Sequence, residues 1–149
     1  MELKDAPGHP GYRITDDGRL WSDRTWRGSS GRWVKASPSG KGYLAANLFL
    51  DGKSRRRYIH HLVAEAFIGP RPDGMEVRHK NGDMLDNRAS NLVYGTSGEN
   101  HLDTVRHGRH HNAIKTHCPA GHEYTPENTY REPKGSRHCC VCQNRRPNA

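Results

Sequence analysis

Cysteine is missing from the first 117 residues of this chain, aromatic residues make up only 7% of it, and hydrophobic residues of all kinds only 32%. No apolar run approaches the ~20 residues that cross a bilayer, and no segment reads as a secretory signal. These absences lead us to expect an intracellular, cytoplasmic protein with no membrane partner. Apolar material this sparse, spread over 149 residues with 16 glycines and nine prolines, cannot fill a large core, so small lobes and metal staples are expected. Acidic residues are also the minority charge: 16 Asp and Glu against 24 Lys and Arg leave a formal +8. A balance this basic favours a polyanionic partner, of which nucleic acid is the commonest. The four cysteines cluster between positions 118 and 142 beside histidines. That clustering points to a metal site rather than to the dispersed disulfide framework of small secreted domains.

Three segments follow from the pattern. Residues 1–59 read as short strands and turns. Tyr12-Arg13-Ile14 and Arg19-Leu20-Trp21-Ser22 flank Thr15-Asp16-Asp17-Gly18 as a first hairpin. Tyr43 to Leu50 and Lys53 to Tyr58 flank Asp51-Gly52, a favoured two-residue turn, as a second. The stretch Arg27 to Gly42 reads as a loop. In residues 60–108 a short helix is expected over His61 to Ile68. Gly69-Pro70-Arg71-Pro72-Asp73-Gly74 then excludes regular structure. A strand at Glu76 to His79, a loop from Asn81-Gly82, and a strand at Asn91 to Tyr94 come next. The helix after them starts at a capping box, Thr96 with Glu99, and stops at Gly108. Residues 109–149 have almost no apolar periodicity and need another source of order.

Phosphodiester hydrolysis needs a base that deprotonates water and a cation beside the phosphate. A neutral His suits the first task near pH 7. His79, at a strand end, can face the first turn of the following helix. Asn100 and Asp103, three residues apart on that helix, make an oxygen-donor pair for Mg²⁺ or Mn²⁺. Asn91 can pin the intervening loop through its backbone.

The run His60-His61-Leu62-Val63-Ala64-Glu65-Ala66-Phe67, then Val77-Arg78-His79-Lys80-Asn81-Gly82-Asp83, Asp86-Asn87-Arg88-Ala89-Ser90-Asn91-Leu92 and Gly95-Thr96-Ser97-Gly98-Glu99-Asn100 resembles the phage-type HNH endonucleases. These include intron-encoded homing enzymes and free-standing phage nucleases. The resemblance implies an α+β protein with a ββα-metal (His-Me finger) core that cuts or nicks double-stranded DNA. The family's general base then falls on His79, its loop-orienting Asn on Asn91 and its metal-binding helix position on Asn100. Many relatives carry a metal-binding Asp or His just before the base, where this chain has Arg78. Asp103 can supply the missing ligand, phosphate and water can complete the shell, or the site is impaired. Asp103 is preferred on helical spacing, with Arg78 left to contact the scissile phosphate. Met1 to Ser22 resembles the modular repeat that precedes HNH domains in homing endonucleases, which implies a DNA-contacting β lobe.

In the third segment Cys118-Pro119-Ala120-Gly121-His122 and Cys139-Cys140-Val141-Cys142 have the spacing of two zinc knuckles. Cys118, His122, Cys139 and Cys142 are the expected Zn²⁺ ligands, with His117 and Cys140 as adjacent competitors. The segment resembles the small zinc ribbons attached to many phage HNH proteins. Arg24, Arg27, Arg32, Lys53, Arg55, Arg56, Arg57 and Arg78 are the expected DNA contacts, mostly to phosphate. A zinc-containing DNA-binding protein without cleavage activity, and an RNA-binding protein, are the competing readings.

Overall fold

The computed structural model describes every residue except Trp26, Arg27, Ser29, Ser30, Lys134, Arg145, Asn148 and Ala149, so the expected DNA contact at Arg27 lies outside the described residues. The chain divides into two compact units, Met1–His107 and Gly108–Ala149. Residues on both sides of the boundary expected after residue 59 pack into one core. No helix among the described residues is long and apolar enough to cross a membrane.

The first unit opens with β1 (Leu3–Asp5), β2 (Tyr12–Thr15), β3 (Leu20–Ser22) and β4 (Arg32–Val34), an antiparallel sheet in that order. The expected first hairpin is β2–β3. Strands β1 and β4 were not expected, and β4 falls in a stretch read as loop. What orders it is a partner outside its own sequence: Trp33 lies opposite Trp21, with ring centroids 5.2 Å apart edge to face. Next come β5 (Ser37–Pro38), β6 (Leu44–Leu50) and β7 (Lys53–Tyr58), a second antiparallel sheet. Asp51 and Gly52 both take positive φ, at 50° and 73°, as a tight hairpin turn of this hand requires.

Helix α1 (Ile59–Phe67) starts directly from β7. Its Ile59, His60, Leu62, Val63 and Ala64 are all buried, so it is enclosed over most of its circumference and serves as the hub of the unit. It touches β1, β2, β6 and β7 together with the hairpin of β8 (Glu76–His79) and β9 (Leu92–Gly95). Complete burial of Ile59, Leu62 and Val63 contributes ~1.5–3 kcal/mol each. Helix α2 (Ser97–Arg106) follows β9 and carries the expected capping box. The Thr96 hydroxyl accepts from the Glu99 amide, and the Glu99 carboxylate accepts from the Thr96 amide at 2.7 Å.

The second unit contains α3 (His111–Ile114), a 3-10 turn at Pro126–Asn128, the two-stranded ribbon of β10 (Thr129–Arg131) and β11 (Arg137–Cys139), and the single-turn α4 (Cys140–Gln143).

Candidate functional site

Strand β8 alternates. Val77 and His79 are buried toward α1, while Glu76 and Arg78 face α2. Among the expected site residues of this strand, Arg78 is the one with a printed bond to α2, through Asp103. At the strand end, His79 is only 7% exposed. Its ring stacks with Tyr43, centroids 6.0 Å apart, and meets His60 edge to face at 5.1 Å. Its Nε2 lies 3.2 Å from Oδ1 of Asn87. Asn87 donates its own amide N–H to the Leu85 carbonyl, which aims Oδ1 at the imidazole. An amide oxygen only accepts, so this contact calls for a proton on Nε2.

The loop between β8 and β9 is tied at its base by Asn91. Asn91 Oδ1 accepts from the Asn81 amide at 3.1 Å, and its side-chain nitrogen donates to Asn81 Oδ1 and to the Asp86 carbonyl at 2.9 and 2.8 Å. Arg88 pairs with Asp86 at 2.6 Å and holds that carboxyl down to about 2. The first hairpin supports the same loop from below. The Ala89 amide donates to the Asp16 carbonyl, and Gly18, at φ 88°, leaves no room for a side chain against Asn87 and Ile59.

On the α2 face, the carboxylate of Asp103 accepts from Nε and Nη2 of Arg78 at 2.9 and 2.6 Å, and Arg106 reaches its other oxygen at 3.5 Å. Arg78 also approaches Glu99 at 3.4 Å. The hydrogen bond from Arg78 holds the Asp103 carboxyl below its usual range. Asp103, expected at a metal, is thus engaged by two guanidinium groups, and Arg78, expected at phosphate, is engaged by Asp103. Asn100 donates its amide nitrogen to Glu76 Oε2 at 2.6 Å.

Of the expected DNA contacts, Lys53, Arg55 and Arg56 are exposed on β7 and Arg32 on β4. Arg55 stands opposite Leu48 and Arg57 opposite Ala46, while Arg56 stands opposite Asn47, so alternation divides them between two faces. Arg56 also donates to the Ser37 and Pro38 carbonyls, Arg57 pairs with Glu65 at 3.6 Å, and Arg24 donates to the Phe49 carbonyl.

Asn87, Glu76 and His60 contact the candidate site residues His79 and Asn100, and sequence pattern assigns them no role. Asn87 and Glu76 have no signal of their own, because their partners are eight and 24 residues away. Burial pushes the His60 imidazole down to about 3, helped by His61 and His79, so it stays neutral.

In the second unit the ligand atoms of Cys118, His122, Cys139 and Cys142 all lie within 4.8 Å of one another. The Cys118 and Cys142 sulfurs are 3.7 Å apart, and His122 Nδ1 is 3.2–3.7 Å from the sulfurs of Cys118, Cys139 and Cys142. Neither Cys140 nor His117 belongs to this group. Burial opposes ionisation of Cys139, yet hydrogen bonds from the Cys142 backbone and nearby side chains bring its thiol down to about 7. Asn128 braces the group by accepting from the Val141 amide.

Residues 57–102 match the family described as HNH endonuclease. A segment of 97 residues is 33% identical to the DNA endonuclease I-HmuI of Bacillus phage SP01, covering 64% of this chain and 53% of that protein. An uncharacterized HNH endonuclease, L245, of Acanthamoeba polyphaga mimivirus is 29% identical over 97 residues, 65% of this chain and 28% of that one. The chain therefore matches about half, or less, of the length of these relatives. Among solved structures, one described as DNA binding and cleavage by the HNH homing endonuclease I-HmuI shares the fold. Its TM-score is 0.63 at 23% identity, over 97% of this chain and 83% of that one.

Proposed function

We propose that this chain, whose residues 57–102 fall in the HNH endonuclease family, is a metal-dependent DNA endonuclease that hydrolyses phosphodiester bonds with His79 as general base. The observation that carries the reading is the Asn87-oriented imidazole at the end of β8. With its proton held at Nε2, His79 can take one from water at Nδ1, which is the task of a base near neutral pH. Tyr43 and His60 restrict the ring, and Asn91 keeps the loop that carries Asn87 in place.

The donor chemistry at the start of α2 suits a hard divalent cation, because Asn100 offers an amide oxygen there. Mg²⁺ or Mn²⁺ held there would stabilise charge on the departing 3′ oxygen. Double-stranded DNA is the proposed partner, with Lys53, Arg55, Arg56 and Arg32 as exposed phosphate contacts. In the second unit the 3.7 Å sulfur separation matches the ~3.7 Å expected between thiolates on a tetrahedral Zn²⁺ with ~2.3 Å bonds. Zn²⁺ is accordingly the proposed staple of that unit.

The pairing of Arg78 with Asp103 favours a second reading, a DNA-binding protein that does not cut. Plasmid cleavage with and without Mg²⁺ or Mn²⁺ separates the two. The nuclease should cut only with the cation, and His79→Ala should slow cutting by ~10²–10⁴ while DNA affinity holds. Cleavage unchanged by His79→Ala would remove the assignment of the base.

A further inference from the structure

A carboxylate beside Asn100 would strengthen a cation site at the start of α2, and the one that helical spacing offers is already taken. Asp103 accepts two hydrogen bonds from Arg78, and its other oxygen faces Arg106. Arg78 is itself seated: a Cβ at Gly95 would fall 2.6 Å from its Cδ, so the missing side chain at Gly95 is the channel through which Arg78 crosses β9. Its side chain is only 14% exposed, and Glu99 closes the far side. Freeing Asp103 for a cation would strand this guanidinium without its partner.

We infer that Glu76 supplies the carboxylate, and that Glu76 and Asn100 together form the protein's half of the nuclease cation site. The inference rests on the metal-dependent nuclease reading above. Strand alternation puts Glu76 on the α2 side, opposite Gly95 in the ladder and at the start of the helix. Its Oε2 is 2.6 Å from the Asn100 amide. The two ends of an Asn amide exchange by a half-turn of the side chain. That turn sets Oδ1 beside the carboxylate, at close to the ~2.9 Å that separates adjacent oxygens around a cation with ~2.05 Å bonds. The first turn of a helix carries partial positive charge, so an amide alone is a poor cation host there and needs the negative partner. Glu76 is exposed, which leaves the rest of the shell to water and phosphate, the arrangement Mg²⁺ favours.

The test is a Mn²⁺ titration of the zinc-loaded full chain without DNA, followed by paramagnetic broadening of backbone and Asn side-chain NMR signals, alongside Mg²⁺ titrations of plasmid cutting. Broadening should centre on residues 76 and 100. Glu76→Gln should raise the Mn²⁺ midpoint and the Mg²⁺ needed for half-maximal cutting at least tenfold, and Asn100→Asp should tighten Mn²⁺ several-fold. Asp103→Asn should leave the Mn²⁺ midpoint within about twofold. Broadening centred on residue 103, or a Glu76→Gln midpoint equal to the parent's, overturns the assignment. If the parent cuts and Glu76→Gln cuts with an unchanged Mg²⁺ requirement, Glu76 is excluded while the nuclease reading stands. If Mn²⁺ binds at Glu76 but the parent cuts in no divalent metal, the cation site stands and the nuclease reading falls.

Discussion

The unit Met1–His107 buries Ile14, Leu20, Leu48, Ile59, Leu62 and Val63 almost completely. Among the described residues of Gly108–Ala149 the buried ones are Cys118, Cys139 and Cys140, while the aliphatic Ile114 and Val141 are 57% and 63% exposed. One unit removes hydrocarbon from water, and the other gathers ligand atoms around a point. The first arrangement is stable by the hydrophobic effect and needs nothing added. The second has little apolar area to set against the chain entropy it loses, so the proposed zinc would supply most of its folding free energy.

The largest effect that could break this contrast is metal removal. Chelation, or Cys118→Ser, should forfeit much of the ~10–16 kcal/mol that structural zinc contributes in small domains. Limited proteolysis should then cut beyond residue 108 while Met1–His107 still melts cooperatively. A tail that stays protease-resistant in freshly prepared metal-free protein would show that it does not depend on a staple. Next in size, Leu62→Ala opens a cavity at the hub of the first unit and should cost about 2–5 kcal/mol by denaturant unfolding. Zinc content per chain should not change, and loss of zinc in this variant would mean that the two units do not fold separately.

The smallest effect is a pH dependence confined to the first unit. His60 titrates at about 3 when folded, because of burial and then His61 and His79, against about 6.5 for an unperturbed imidazole. The unfolded chain thus binds this proton at higher pH than the folded one. Stability from this group is fully present above about pH 6.5 and is lost as pH falls toward 3, by at most about 2 kcal/mol at pH 5. His61, lowered to about 4 by burial and the charges of Arg71 and Arg57, adds to the same slope. His60→Phe should flatten the loss between pH 6.5 and 5. An equally steep slope in that variant would place the titration elsewhere.

Much of the first unit was readable from local signals. Asp51-Gly52 marked its hairpin because few residue pairs tolerate two successive positive φ angles. Thr96 with Glu99 marked the start of α2 because both partners of the box lie within one turn. The Cys and His spacings marked the ligand group for a similar reason, since each knuckle is local and only the meeting of the two knuckles is not. Strands β1, β4 and β5 carry no marked turn of the kind that flags β2 and β3, and at two or three residues they have almost no periodicity, so their order comes from neighbours in the sheets. Asp103 looked like a free donor because helical spacing says which residues share a face and says nothing about what waits opposite them.

The sequence by itself determined the basic charge, the turn positions, the cap of α2, the ordered His79–Asn91–Asn100 series and the two knuckles. Each of these is a matter of composition or of spacing along the chain, and so survives without knowledge of the fold. Tertiary structure decided that His79 is held by Asn87, that Arg78 claims Asp103 across 25 residues, and that Glu76 meets Asn100 across 24. The physical reason is that a charged or amide side chain has many acceptable partners of opposite character. Only the packing of β8 and α2 against their neighbours selects which of them comes within hydrogen-bonding distance.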